Sequence, residues 1–140
     1  MQEQNFRNHP RYVPGFHFIT FSVILAALVI AVTLLISDGI NGNALLGLLV
    51  TLSLALLFFY TRQFATGNQD RIIRAEENLR CYELTGKKLD GRLSREQVIA
   101  LRFADDAEYE ELYARAINQK LSPKNIKKAI HNWRADHHRV

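Results

Sequence analysis

The side chains best equipped for chemistry gather late in the chain. His131, His137 and His138 lie near Asp136, a grouping of metal-ligand types. Zinc sites need three or four ligands held by a second shell, and a terminal run supplies no such frame, so no metal is expected there. Cys81 is the only cysteine; spacing fixes no base beside it, and it cannot form an internal disulfide. Asp105 and Asp106 pair two carboxylates, but their place just before an apolar-periodic run suits a helix cap better. No glycine-rich phosphate loop, Gly-x-Ser-x-Gly or His-Glu-x-x-His occurs. The expectation is a protein that is not an enzyme and needs no cofactor.

The strongest functional signal is basic. Lys120, Lys124, Lys127, Lys128, His131 and Arg134 surround the polar side of a helix opened by Ser122-Pro123. Its apolar face is Ile126, Ala129, Ile130 and Trp133. Lys124, Lys127, Lys128 and Arg134 are the candidate contact residues, and Ile126, Ile130 and Trp133 are expected to position them. Such a face suits anionic lipid headgroups, at about 1 kcal/mol per cation near a membrane surface. It suits an acidic cytoplasmic protein equally well. Cations are also favoured at a helix C-terminus with no partner at all. Nucleic acid is the alternative: Tyr109–Ile117 and Pro123–Trp133 have helix-turn-helix order. However, the joint from Asn118 to Ser122 is longer than usual and lacks glycine.

The elements that must carry this face divide the chain in two. Of 18 Lys and Arg and 14 Asp and Glu in 140 residues, the first sixty residues hold only Glu3, Arg7, Arg11 and Asp38. Phe18 to Ile36 contains no charged residue, and taken as Phe16 to Ser37 the run would be a helix roughly 33 Å long, matched to a hydrocarbon core of about 30 Å. Ala44 to Tyr60 is a second uncharged run, extended to residue 41 through Asn41-Gly42-Asn43. Both runs lack proline, and the rest of the chain is too polar and too short to cover them. The first run is longer than a leader's apolar region, and a second apolar run follows where a mature domain would begin, so it is expected to stay as an anchor. Two transmembrane helices, 16–37 and 41–60, are therefore expected, joined by a short external loop at 38–40.

Arg7 and Arg11 precede the first span, Arg62, Arg71 and Arg74 follow the second, and the joint carries no cation. Both termini are then cytoplasmic. Aromatic residues agree: Tyr12, Phe16 and Phe18 start the first span, while Phe58, Phe59 and Tyr60 finish the second. Ala27 and Ala31 on one helix, and Gly47, Thr51 and Ala55 on the other, recur every four residues as candidate packing stripes. No ionisable group lies at mid-membrane. A pore would need an oligomer lined by Thr20, Thr33, Thr51 and Ser53. His9 and His17 read as interfacial polar residues.

Residues 61–140 read as a small helical bundle on the cytoplasmic side, with residues 1–15 as a separate N-terminal segment. Thr66-Gly67-Asn68 is expected to break the chain outside the membrane. A helix from Gln69 to Thr85 then offers Ile72, Ala75, Leu79 and Tyr82 to a core. Ser94 and Gln97 form a capping box for a helix over 95–103 that turns Val98 and Leu101 inward. Asp105 or Asp106 caps the next, which presents Tyr109, Leu112, Tyr113, Ala116 and Ile117. The fold class is all-α: a two-helix transmembrane hairpin, then a small cytoplasmic helical bundle.

Longer motifs combine with this pattern. The chain opens Gln4-Asn5-Phe6-Arg7-Asn8-His9, then Tyr12-Val13-Pro14 and His17-Phe18. Further on come Gln69-Asp70-Arg71 with Arg74, Glu76-Glu77-x-Leu79-Arg80, and Ile99-Ala100-Leu101-Arg102-Phe103-Ala104-x-Asp106-Ala107-Glu108. The last is Leu121-Ser122-Pro123-Lys124-x-Ile126-Lys127-x-Ala129-Ile130-x-x-Trp133-x-x-Asp136. In combination these resemble domain of unknown function 6526, a family of small bacterial membrane proteins. The resemblance covers nearly the whole chain. It implies two spans and a helical cytoplasmic region in a bacterial inner membrane, and it brings no activity and no catalytic residue. The resulting expectation is an anchor or interaction module, able to form homo-oligomers through its hairpin in the lipid bilayer.

Overall fold

The computed structural model describes residues 4–9 and 12–136. Every regular element among them is helical, and the sole extended pairing is an isolated bridge between Ala104 and Trp133. Contacts divide the chain into two compact units, Arg11–Thr66 and Met1–Pro10 together with Gly67–Val140. These limits differ from 1–15, 16–60 and 61–140, because residues 4–9 pack with the second unit.

In the first unit a π-helical stretch, Gly15–Thr20, runs into α1, Phe21–Ser37. The Thr20 hydroxyl donates to the Gly15 carbonyl at 3.0 Å, five residues back, which matches the wider turn. The helix stops where Gly39 takes a φ of +72°, a conformation that suits a residue without Cβ. Asn41 opens the next helix by accepting from the Ala44 amide at 2.9 Å. That helix, α2, spans Gly42–Thr85.

The expected break at Thr66-Gly67-Asn68 is absent. One glycine costs a helix interior about 1 kcal/mol against alanine, too little to stop it without a proline. The Thr66 hydroxyl turns back to the Arg62 carbonyl at 2.9 Å and leaves the ladder intact. Gly86, at φ +70°, ends the helix as a left-handed cap and donates to the Tyr82 carbonyl at 2.8 Å.

Phe16, at the start of the first apolar helix, stacks on Phe58, late in the second, at 4.4 Å between ring centres, so the two run antiparallel within this unit. Ala31 and Thr51 are its buried mid-helix residues, while Ala27, Gly47 and Ala55 are half-buried. Nearly every large apolar side chain around them is exposed, from Phe18 and Ile19 to Leu56, Leu57 and Phe59.

The second unit adds α3 (Arg95–Leu101), α4 (Asp106–Asn118) and α5 (Pro123–Ala129). Ser94 and Gln97 form the capping box of α3, Asp105 caps α4 and Ser122 caps α5. α4 closes with Lys120 in the left-handed region at φ 49°; Leu121 N–H reaches the Ala116 carbonyl and Lys120 N–H the Ile117 carbonyl. This pairing is the Schellman motif, with lysine in glycine's usual place. Cys81, Val98, Leu101, Phe103, Tyr109, Ala116 and Ile126 form the fully enclosed core, and α3 packs against both α4 and α5.

Two elements depart from the expected pattern. Ile72, Ala75, Leu79 and Tyr82 do not face the core: they are exposed, and α2 instead turns Ile73, Glu77, Arg80 and Cys81 inward. Charged residues can face inward because Glu77 and Arg80 find partners there. The last helix does not reach Trp133 but ends at Ala129, with Ile130 extended. Glu108 accepts from the His131 and Asn132 amides at 3.0 and 3.1 Å, competing with helix continuation. Arg134 N–H then donates to the Phe103 carbonyl at 2.8 Å.

Candidate functional site

The most chemically loaded place lies where the second unit's part of α2 meets the α3–α4 turn. Arg80 Nε donates to Asp106 Oδ1 at 2.7 Å, and its Nη2 donates to the Ala104 carbonyl at 2.6 Å. Glu77 lies 3.5 Å from Arg80 Nη1, one helical turn away, with both side chains buried. The guanidinium also sits over the Tyr109 ring, 4.5 Å from its centre. Burial pushes the Glu77 carboxyl above its ordinary range, opposed first by Arg80 and then by Arg134. Burial likewise raises the Tyr109 phenol, whose oxygen is enclosed without a hydrogen-bond partner among the described residues. Arg80 is thus held through its Nε, its Nη2 and one face of its guanidinium, while Nη1 makes only the 3.5 Å ion pair with Glu77, so the cluster chiefly fastens segments together.

Next to it, Phe103 and Trp133 pack at 5.0 Å between ring centres, with His9 against both rings. His9 Nδ1 faces the Phe6 carbonyl at 2.8 Å, so the proton belongs on Nδ1 and Nε2 is left to accept. Lys127 Nζ meets that Nε2 at 3.1 Å. Gln4 accepts from the Asp136 amide at 2.8 Å, and Arg102 pairs with the Asp136 carboxylate at 3.1 Å. His9 is therefore packed inside the helical unit, not set at an interface as expected.

The structure does not gather the four expected contact residues as equals. Lys124 and Lys128 are exposed on α5. Lys127 is half-buried and turned to His9 and Phe103. Arg134 is exposed, lies off the helix, and acts electrostatically on Glu77. Ile126 and Ile130 are buried in the core of the helical unit, and Trp133 is half-buried against it. α5 has only seven residues and one of its lysines faces inward, which leaves little for a groove-reading helix.

Cys81 is fully buried, with its sulfur 3.7 Å from the Thr85 hydroxyl, an inert setting for a thiol. Among the described residues no three His, Cys, Asp or Glu side chains come together around one point. His137 and His138 of the expected metal grouping lie outside the described residues, as do Arg11 and Arg139. The four hydroxyls named as pore-lining candidates each donate to a carbonyl of their own helix: Thr20 to Gly15, Thr33 to Val29, Thr51 to Gly47, Ser53 to Leu49. Thr51 is buried as well, and a buried residue cannot line a channel.

The motif residues quoted from the sequence meet one another in space: Arg80 with Asp106, Phe103 with Trp133, Arg102 with Asp136. A family model matches over residues 1–140, that of the family of unknown function DUF6526. The chain belongs to the DUF6526 family. No curated protein matches it, and no solved structure does either. What DUF6526 membership supplies here is a frame, since the family has no assigned function.

Most of these pairings leave no signal in the sequence. Glu77 and Arg80 stand at i, i+3 and were legible as a helix pair. Arg102 with Asp136, and Glu108 with the 131–132 amides, join residues more than twenty apart and left no spacing signal.

Proposed function

We propose that this chain is a two-span integral membrane protein that holds a helical unit on the cytoplasmic side, as a non-enzymatic anchor or interaction module. One observation carries the reading. Two helices, Gly15–Ser37 and the apolar part of Gly42–Thr85, are long and apolar enough to cross a bilayer, and only 6% and 11% of their most apolar stretches are buried within the protein. A core helix of a soluble protein would be covered by its neighbours. Water would penalise this exposure at about 25 cal/mol per Å² of apolar surface, whereas lipid does not. The hydroxyl-to-carbonyl bonds of Thr20, Thr33, Thr51 and Ser53 support the same reading, because no polar side chain in lipid can rely on water.

With Arg7 before the first helix, Arg62 after the second and no cation in the joint, both flanks belong on the cytoplasmic face of a bacterial inner membrane. The exposed Lys124 and Lys128 of α5 then offer contact to anionic headgroups or to an acidic protein. Topology is tested by labelling intact cells with a membrane-impermeant maleimide. Asp38→Cys should react from outside and Lys124→Cys only after permeabilisation, with native Cys81 silent because it is buried. Labelling of Lys124→Cys in intact cells, or of Asp38→Cys only in broken ones, overturns the reading.

A further inference from the structure

Within the second unit, α2 is amphipathic the wrong way round. It turns Glu77 and Arg80 to the core, with Ile73 and Cys81, and on its opposite side leaves Ile72, Leu79 and Tyr82 exposed to 59%, 59% and 57%. Ala75 is exposed between them. A helix on the surface of a soluble unit normally shows its polar stripe outward. The outward residues fall at 72, 75, 79 and 82, spaced three, four and three, which is the a/d seam of a heptad. Three large apolar side chains in one line call for a covering surface.

We propose that Ile72, Ala75, Leu79 and Tyr82 form one half of a parallel, in-register coiled coil with α2 of a second copy of this chain. Charge selects that occupant. Arg71 stands at the g position and Glu76 at e, on opposite flanks of the seam, about 140° apart around the helix and so unable to pair with each other. Both are exposed, and neither has an ion-pair partner among the described residues. In a parallel pair each g residue meets the e residue five positions further along the other helix. Arg71 of each copy therefore faces Glu76 of the other, twice by symmetry. An antiparallel pairing would set the acidic e rank, Glu76 and Glu83, against itself. The other g residue, Asn78, is already spent on its own chain, accepting from the Leu89 amide at 3.0 Å.

Four seam residues per copy make a small contact beside a standard interface of about 1,600 Å². Copies held in one bilayer share a single orientation and meet at a raised effective concentration, which favours parallel pairing of a short seam. This last point rests on the membrane reading above.

The test is oxidative crosslinking of the full chain in washed native membranes, with single substitutions Ile72→Cys, Ala75→Cys, Leu79→Cys and Tyr82→Cys. Cys81 is buried and serves as the background. All four should give disulfide dimers several-fold above Arg74→Cys, which is exposed on the same helix but off the seam. In the Leu79→Cys chain, Arg71→Glu should cut the dimer yield several-fold, and adding Glu76→Arg should restore it. Dimer yields no higher than for Arg74→Cys, or no restoration by the charge swap, overturn the proposal. Pelleting is scored on the same samples. Loss of the chain from the pellet counts against the membrane reading, while the crosslinking ratio alone decides the dimer.

Discussion

Arg80 holds Asp106 by a 2.7 Å bond from its Nε, joining α2 to the first turn of α4. The same guanidinium reaches the Ala104 carbonyl and covers the Tyr109 ring, so one side chain ties together three segments of the helical unit. Arg80→Ala strands Glu77 without its nearest cation, and removing one partner of a buried pair costs about 3–5 kcal/mol. Arg80→Lys should recover little of this, because an ammonium cannot reproduce the planar fork. Thermal melts of the full chain in detergent check both variants; a lysine variant as stable as the parent would contradict the role given to the fork.

The pH dependence of stability carries two opposing contributions. Glu77 binds its proton more tightly folded than unfolded, so its contribution is fullest below its ordinary value of 4.5 and is lost as pH rises through the raised one. Asp90 runs the other way. Hydrogen bonds from Arg92 hold it at about 2, so its contribution is present above 3.8 and disappears as pH falls toward about 2. Denaturant titrations of Glu77→Gln between pH 4 and 8 should show a flatter profile than the parent. An unchanged slope there would remove Glu77 as its source.

Lys120 occupies a left-handed position that costs a residue with Cβ about 1 kcal/mol. Lys120→Gly should therefore stabilise the helical unit by up to about 1 kcal/mol, partly offset by loss of a cation near the C-terminus of α4. A lower melting temperature than the parent would mean that the lysine side chain does more than terminate the helix.

Tyr109 encloses a hydroxyl without a partner among the described residues. Tyr109→Phe keeps the ring beneath Arg80 and removes the stranded group, so stability should hold or rise by about 1 kcal/mol. A loss of 2 kcal/mol or more would show that the hydroxyl is satisfied in solution.

Lys124→Glu with Lys128→Glu reverses the two exposed cations of α5 without touching its buried Ile126. Amide exchange of α5 should be slower in nanodiscs containing anionic lipid than in neutral ones for the parent, and equal in both for the double variant. Added salt should shrink the difference. Equal exchange for the parent in both lipids would leave α5 to a protein partner or to solvent.

Local signals made much of the fold legible. Ser94 with Gln97, Asp105 and Ser122-Pro123 cap where the sequence places them, because capping is decided by neighbours within three residues. The two long apolar helices were legible by length alone. Illegible was which side of α2 faces the core: Ile72, Leu79 and Tyr82 make the better apolar stripe, but Arg80, which carries Glu77 inward with it, finds partners on α4 and the turn before it, and those partners lie more than twenty residues away. The early stop of α5 has the same origin in Glu108. For the basic patch, sequence ranked four cations alike, and only three-dimensional packing turned Lys127 toward His9.

The central claim is that lipid solvates Gly15–Ser37 and the apolar stretch of α2. Alkaline carbonate extraction of cell membranes tests it most directly. The full-length chain is expected to remain in the pellet and to leave it only on adding detergent. Recovery in the carbonate supernatant without detergent would contradict it.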